Sequence, residues 1–506
     1  MTVLLTRLLG LSIGLMLAAA VPAAAGLSVG GAVVNIDPEQ TPVSVVGYFT
    51  ARYASDVVDE LTARTLVIAR DGGSEEGSEE EGSEEEASEE ADNEDNTEKN
   101  AGPAVVAIQV VDSCGIAREQ IDEAKAIASA ATGIPVGAMF ISATHTHTAP
   151  SAMPGLGTDA SPVYQKQLVR QMAESIIAAH ARRQPCEAGW DRRRAERFVY
   201  CRRWKMKPGT AETVPFTGHG DDVVQMNPGH GNPNALEQTG PVDPDVSVLA
   251  FRDPESKRPL AVLVNFNTHY AGAPMMSADY FGVVAREIGP RLDPEAAPAA
   301  GFVALSSNGT SGDANCIDFA TSPAVAFDHL EVGEHVLGKA VEAYRGITNW
   351  TADAPLAVAG VDLDIAKRMP TADEVAAARA AVADWIDDRL PANKPEVYAR
   401  ETLLLADEPP TESVRLQTMR LGEFGLASIP CEVYGSTGLR IKQQSPLGFT
   451  MTIGWANGYS GYLPPPDQHA LGGYTTWRCR SSFLDEQAEP LIVDELLRQF
   501  AELERR

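Results

Sequence analysis

Short apolar blocks alternate along this chain with stretches whose apolar residues recur at helical spacing. Thr65–Ala69 and Val105–Val111 have the length and content of buried strands. Ile116–Ala131 follows with helical spacing and stops at Gly133. Val136–Ile141 predicts a further buried strand, and Pro162–Arg183 a long amphipathic helix. Strands are predicted at Val246–Phe251, Leu260–Phe266 and Phe302–Leu305, with a helix at Tyr280–Leu292 between the last two. Helices fit Leu330–Tyr344, Ala372–Leu390 and Asp485–Leu503, and strands Leu356–Leu363, Val414–Leu421 and Leu426–Ile429. This mixture predicts an α/β fold with a mixed central β-sheet flanked by helices. No internal repeat is visible in the sequence.

Two segments break the alternation. Residues 72–100 are acidic, low in complexity and without large apolar side chains, so they cannot bury enough surface to order themselves. They read as a disordered insertion in a strand-to-strand loop, where extra length is tolerated. Between Pro215 and Pro241 lies a Gly/Pro/Asn-rich loop holding His219 and His230, long enough to suggest a lid.

The formal net charge of the 506 residues is −29. Fifteen acidic residues and one lysine fall between Asp71 and Lys99, and the rest of the chain still carries about half the charge. Such an acidic body offers no footprint for nucleic acid or anionic lipid. At the N-terminus, Arg7, the apolar run Leu8–Ala20 and the small residues of Val21–Ala25 form a secretory leader with cleavage expected before Gly26. The run is short for a membrane span. The mature chain is therefore expected outside the cytoplasm, secreted or periplasmic. Export permits disulfides among Cys114, Cys186, Cys201, Cys316, Cys431 and Cys479, and no C-x-x-C spacing suggests a four-cysteine zinc site.

Candidate chemistry gathers where apolar runs end. Thr144-His145-Thr146-His147 follows the Val136–Ile141 run. Alternation along an extended chain sends both imidazoles to one side, at the strand end where α/β enzymes place reactive groups. His269 ends Leu263–Thr268, with Ser277 and Asp279 shortly after. Gly312-Asp313-Ala314-Asn315 follows Phe302–Ser311, Pro430-Cys431-Glu432 follows Leu426–Ile429, and Tyr462 and Tyr474 stand twelve apart. Two imidazoles and a carboxylate suit a hydrolytic zinc ion with room for water. His180 sits on a predicted helix with arginines beside it and reads as a surface residue, while His329, His335 and His469 have no partner motif and read as structural.

Taken together and in this order, these motifs resemble the neutral (alkaline, non-lysosomal) ceramidase family from about residue 40 to the C-terminus. Thr144–Pro150 resembles its THTHSGP motif, His269 its second histidine, Pro430-Cys431-Glu432 its Pro-Gly-Glu, and Tyr462 with Tyr474 its paired tyrosines. The resemblance implies a single catalytic domain over 26–506 with one Zn2+ per chain, held by His145, His269, Glu432 and Tyr462. It makes His147 a general acid/base or oxyanion partner, and Tyr474 and Arg202 substrate-contacting groups. It implies cleavage of an amide or ester bond in an acyl-amide, lipid-like substrate such as an N-acylsphingosine.

The chain departs from the family in two places. Asn315 stands where the family carries a serine, and two extra residues precede Gly312. The sequence also stops soon after Tyr474, without the family's C-terminal immunoglobulin-like domain. The missing hydroxyl leaves two other readings open: a non-hydrolytic binding protein that keeps the fold, and a zinc hydrolase of a different small amide, ester or lactone.

Overall fold

The computed structural model describes residues 26–71, 105–217, 221–296 and 301–505. The leader, the acidic segment at 72–100 and His219 lie outside the described residues. The strands form three principal sheets rather than one. In the first, β1 (Gly26–Asn35), β2 (Thr62–Asp71) and β3 (Val105–Val111) run antiparallel, and β4 (Met139–Ala143) joins parallel to β3 after the crossover helix α1 (Arg118–Thr132). Helix α2 (Pro162–Ala181) follows. The second sheet repeats this order. Antiparallel β5 (Glu187–Arg194), β6 (Asp245–Arg252) and β7 (Pro259–Phe266) lead through α3 (Asp279–Leu292) to β8 (Val303–Asn308), parallel to β7. Helix α4 (His329–Gly346) closes that unit.

The third unit has the same plan with an insertion. After β9 (Leu356–Ala366) come α5 (Ala372–Val382) and α6 (Lys394–Ala406), then antiparallel β10 (Thr411–Leu421) and β11 (Phe424–Ser428). Helix α7 (Gly435–Gln444) crosses to β12 (Phe449–Ile453), parallel to β11, and α8 (Ala488–Glu504) ends the chain. The β-β-β-α-β-α unit thus occurs three times, although no repeat is visible in the sequence. The periodicity explains why. Leu249 and Phe251 of β6 face one core while Val246, Val248 and Ala250 face another. Strands buried on both faces read as uniform apolar runs and conserve no pattern beyond hydrophobicity.

The inner faces of all three sheets share one core, from Leu66, Ile108 and Phe140 through Leu263 and Leu305 to Leu426 and Met451. The outer faces pack under α1 and α2, under α3 and α4, and under α7 and α8. Three parallel strand pairs therefore end around a common point, and the site is built there.

Several elements differ from the sequence reading. Residues Val136–Ala138 form a 3-10 turn, and the strand starts at Met139. The helix expected over Ala372–Leu390 stops at Val382, where the chain tightens into turns such as Asp388 N to Trp385 O. The expected lid at 215–241 instead contributes two short strands, Val224–Met226 and Ala235–Gln238, paired on either side of Arg203–Met206. All six cysteines are buried and unpaired, so the permitted disulfides are not formed. No helix among the described residues is long and apolar enough to cross a membrane.

Strands β2 and β3 are hydrogen-bonded neighbours, Ala69 opposite Val105, so the acidic segment joins two strands that already pair. Replacing 72–100 with a short turn is expected to leave the thermal midpoint nearly unchanged. Calorimetric scanning of the deletion variant checks this; a large drop would mean the segment packs or binds a needed ion.

Candidate metal centre

Three of the four expected ligands stand just beyond the end of a parallel pair. His145 is the second residue after β4, His269 the third after β7, and Glu432 the fourth after β11. The Thr-His alternation sorts as the sequence predicts. Thr146 and Thr148 turn one way and donate their hydroxyls to Ser277 O at 3.0 and 2.8 Å, while the two imidazoles turn the other, with ring centroids 4.5 Å apart. His145 has φ of +65°, a strained left-handed conformation for a residue with a side chain. Its amide donates to Ser113 O at 2.8 Å, which ties this turn to the end of β3.

All three imidazoles are held the same way. His145 Nδ1 faces Cys114 O at 2.6 Å, His147 Nδ1 faces Gly47 O at 3.0 Å, and His269 Nδ1 faces Ser311 O at 3.1 Å. A carbonyl only accepts, so each Nδ1 carries the proton and each neutral ring presents a lone pair at Nε2. Burial keeps the rings neutral: it pushes His145 down to about 3, and it lowers His147 and His269 well below the usual histidine range. Yet His145 Nε2 lies 3.0 Å from both His147 Nε2 and His269 Nε2. Glu432 Oε2 approaches His145 Nε2 and His269 Nε2 at 3.7 and 3.8 Å and has no hydrogen-bond partner. Buried acceptors facing one another without a donor are unfavourable. A cation between them removes the conflict.

His145, His269 and Glu432 place one donor atom each within 4.8 Å of one another. Ligands ~2.1 Å from a tetrahedral zinc stand ~3.4 Å apart, and the observed separations bracket that value. A second group, Cys114 with His145 and His147, meets the same distance test. It is the poorer site, because the Cys114 thiol sits by His145 Nδ1, which is already committed to Cys114 O, and burial holds the thiol protonated.

Tyr462 pairs in parallel register with Glu432, and Arg202 Nη2 donates to Tyr462 Oη at 3.1 Å and to Gly312 O at 2.9 Å. The phenol oxygen is thus turned beside the carboxylate as an acceptor. Glu432 Oε1 accepts from Tyr459 Oη at 2.7 Å. Burial raises the Glu432 carboxyl to about 7 against the lowering effect of Arg202 and of the Tyr459 and Tyr462 hydroxyls. Gly312 is required here: a Cβ would stand 2.4 Å from Glu432 O. Gly47, at φ of +106°, likewise leaves room for the His147 ring.

His145, His147, Glu432, Tyr462 and Tyr474 line one cavity, with Val46, Met153 and Leu156 as apolar wall. Tyr474 packs edge-on against Tyr462 and Phe49, and Trp477 behind it rests on Tyr398 of α6. The structure brings together His145, His147, His269, Glu432, Tyr462, Tyr474 and Arg202. It does not bring Asn315 to the cavity. The Asn315 amide donates to Asn227 Oδ1 at 3.0 Å, and its carbonyl accepts from Ile317 N at 2.9 Å. Ser311 donates its hydroxyl to Asn308 and gives only its backbone carbonyl to the site. Asn315→Ser is therefore expected to leave turnover of any substrate close to wild type, which steady-state kinetics of the pair would check.

Four contributors were not assigned from the sequence. Trp455 stacks on His145 at 4.4 Å, Tyr270 stacks on His147 at 3.9 Å, Tyr459 holds Glu432, and Gly47 holds His147. Tyr270 adjoins His269 and Tyr459 precedes Tyr462 by three, so adjacency to the ligands was a usable signal for both.

Against known proteins, no family profile and no curated sequence matches the chain. Solved structures do. A neutral ceramidase from Pseudomonas aeruginosa superposes with a TM-score of 0.67 at 16% identity, over 95% of this chain and 75% of that one. A ceramidase complexed with C2 gives 0.64 at 15% identity, over 95% and 76%. The chain has the neutral ceramidase fold, as the ordered motifs implied.

Proposed function

We propose that the protein is an exported hydrolase of amide or ester bonds that uses one zinc ion held by His145, His269, Glu432 and Tyr462. The observation that carries this reading is the convergence of buried lone pairs, two Nε2 atoms and the unpartnered Glu432 Oε2, on one point that a cation would satisfy. Zinc at such a point supplies Lewis acidity toward a carbonyl and lowers the pKa of water to about 7.

This chain's own groups supply the rest. His147, with Nδ1 fixed on Gly47 O, offers Nε2 to take the proton of the attacking water and to return it to the leaving amine or alcohol. Tyr474 stays protonated, because burial raises its phenol, and it donates toward a carbonyl oxygen in the cavity. Arg202 holds Tyr462 in its acceptor orientation. The apolar wall of Val46, Met153 and Leu156 suits an acyl chain and excludes competing water. The likeness to ceramidase structures supports an acyl-amide of the ceramide type as first substrate to try.

The test is hydrolysis by zinc-loaded protein of a panel of N-acyl amides, a ceramide among them, and matched acyl esters. Turnover that disappears with chelator and returns with zinc is expected. Full zinc occupancy with no turnover across the panel would favour the non-hydrolytic binding protein. Chelation is also expected to lower the thermal midpoint, because ligand binding to the folded state alone stabilises it.

A further inference from the structure

A second cavity has Asp313 in its lining, next along the chain from Gly312, whose carbonyl accepts from Arg202 at the metal centre. Its lining includes Asp313, Ser436, Arg440, Asp467, Gln468 and Glu489. Three carboxylates thus face one guanidinium. Glu489 is already spent, accepting from Thr437 Oγ1 at 2.6 Å and from Arg440 Nη2 at 3.0 Å. At the N-terminus of α7, which borders the cavity, Gly435 N is taken as well, donating to Asp313 Oδ1 at 2.8 Å. Arg440 Nε is buried without a partner, but an anion there would also meet two carboxylates, Asp313 and Asp467, that no ion pair compensates among the described residues.

Besides that one donor, the unpaired groups of the lining are acceptors. Gln468 is only 6% exposed, and its Oε1 has no partner. Its orientation is fixed, because Nε2 faces two acceptors, Thr239 O at 3.2 Å and Asp467 Oδ2 at 3.1 Å. Asp313 is 1% exposed, and among the described residues nothing donates to its Oδ2. Asp467 stands exposed at the mouth. We propose that this cavity is a binding site for a small primary ammonium cation, whose three N–H groups pair with Gln468 Oε1, Asp313 and Asp467. A hard divalent ion fits less well, since no three of these carboxylates bring oxygens within 4.8 Å of one another. Burial raises the Asp313 carboxyl to about 6. The site adjoins the metal centre through Arg202, whose amide donates to Asp313 O at 2.9 Å.

The experiment is isothermal titration calorimetry of the zinc-loaded protein with ethanolammonium chloride, against sodium chloride and calcium chloride at matched ionic strength. Saturable binding of ethanolammonium alone is expected. Asp467→Asn, a change at an exposed side chain that leaves the fold intact, should weaken it about tenfold or more, the usual effect of losing a charged hydrogen-bond partner. Asp313→Asn keeps the acceptor for Gly435 N and should do the same. No saturable ammonium signal, an equal response to sodium or calcium, or undiminished binding by both variants would overturn the proposal.

Discussion

His269→Ala is expected to lose stoichiometric zinc and all metal-dependent hydrolysis. The imidazole is 1% exposed, and its ring is fixed by Ser311 O with Nε2 turned to His145 and Glu432. The variant leaves His145 Nε2 and Glu432 Oε2 facing each other with neither a cation nor a donor. Because metal binds only the folded chain, zinc at a thousandfold over its Kd stabilises by about 4 kcal/mol, and this is what the variant forfeits. Thermal unfolding with and without added zinc separates the two contributions. The wild type should shift upward with zinc and His269→Ala should not. A variant that still responds would place the ion elsewhere, with the Cys114–His145–His147 group the next candidate.

Trp455→Ala is expected to have the largest effect on stability. The indole is 1% exposed, stacks on His145 and meets His269 edge-on at 6.0 Å. Its backbone carbonyl accepts from Ala143 N and its amide donates to Cys431 O, so it joins the ends of β4 and β11. Trp455 follows β12 by two residues, as His145 follows β4, and both have positive φ, +49° and +65°. One unit supplies the ligand at this place and another supplies its support. Truncating a buried tryptophan costs about 3–5 kcal/mol, read by chemical denaturation. Zinc affinity should fall as well, because the His145 ring loses the face that orients it. Trp455→Phe should recover most of both. Zinc affinity unchanged in Trp455→Ala would reduce the residue to packing alone.

The site was more legible in the sequence than the fold. His145, His269 and Glu432 each follow an apolar run, and polar residues at the ends of buried strands stand out against the run itself. The elements that escaped did so for local reasons. Strand β5 lies at a sheet edge and carries Arg192, Arg193 and Arg194, so no apolar alternation marks it. Strand β1 is built largely of small residues, among them Gly30 and Gly31, each of which touches a neighbouring element so closely that a Cβ would collide. Helix α7 is short and holds Gly438, whose Cβ would fall 2.3 Å from Thr310 Oγ1. Close approach there outweighs helix propensity. The supports Gly47 and Trp455 act through contacts between distant parts of the chain, and such contacts leave no spacing to read.

The fate of Asn315 is instructive in the same way. Its place in the order of motifs suggested a group at the reaction centre, but the short pairing of Ala314–Asn315 with Tyr200–Cys201 turns its amide to Asn227. The same pairing sets Arg202, next along the chain, behind Tyr462.

The most direct test of the central claim is the metal content of the protein purified without chelator, measured by plasma mass spectrometry beside His145→Ala, His269→Ala and Glu432→Gln. One zinc per chain in the wild type, and far less than one in each variant, is the predicted result. A wild type free of stoichiometric metal, or variants that keep it, would contradict the assignment of this centre.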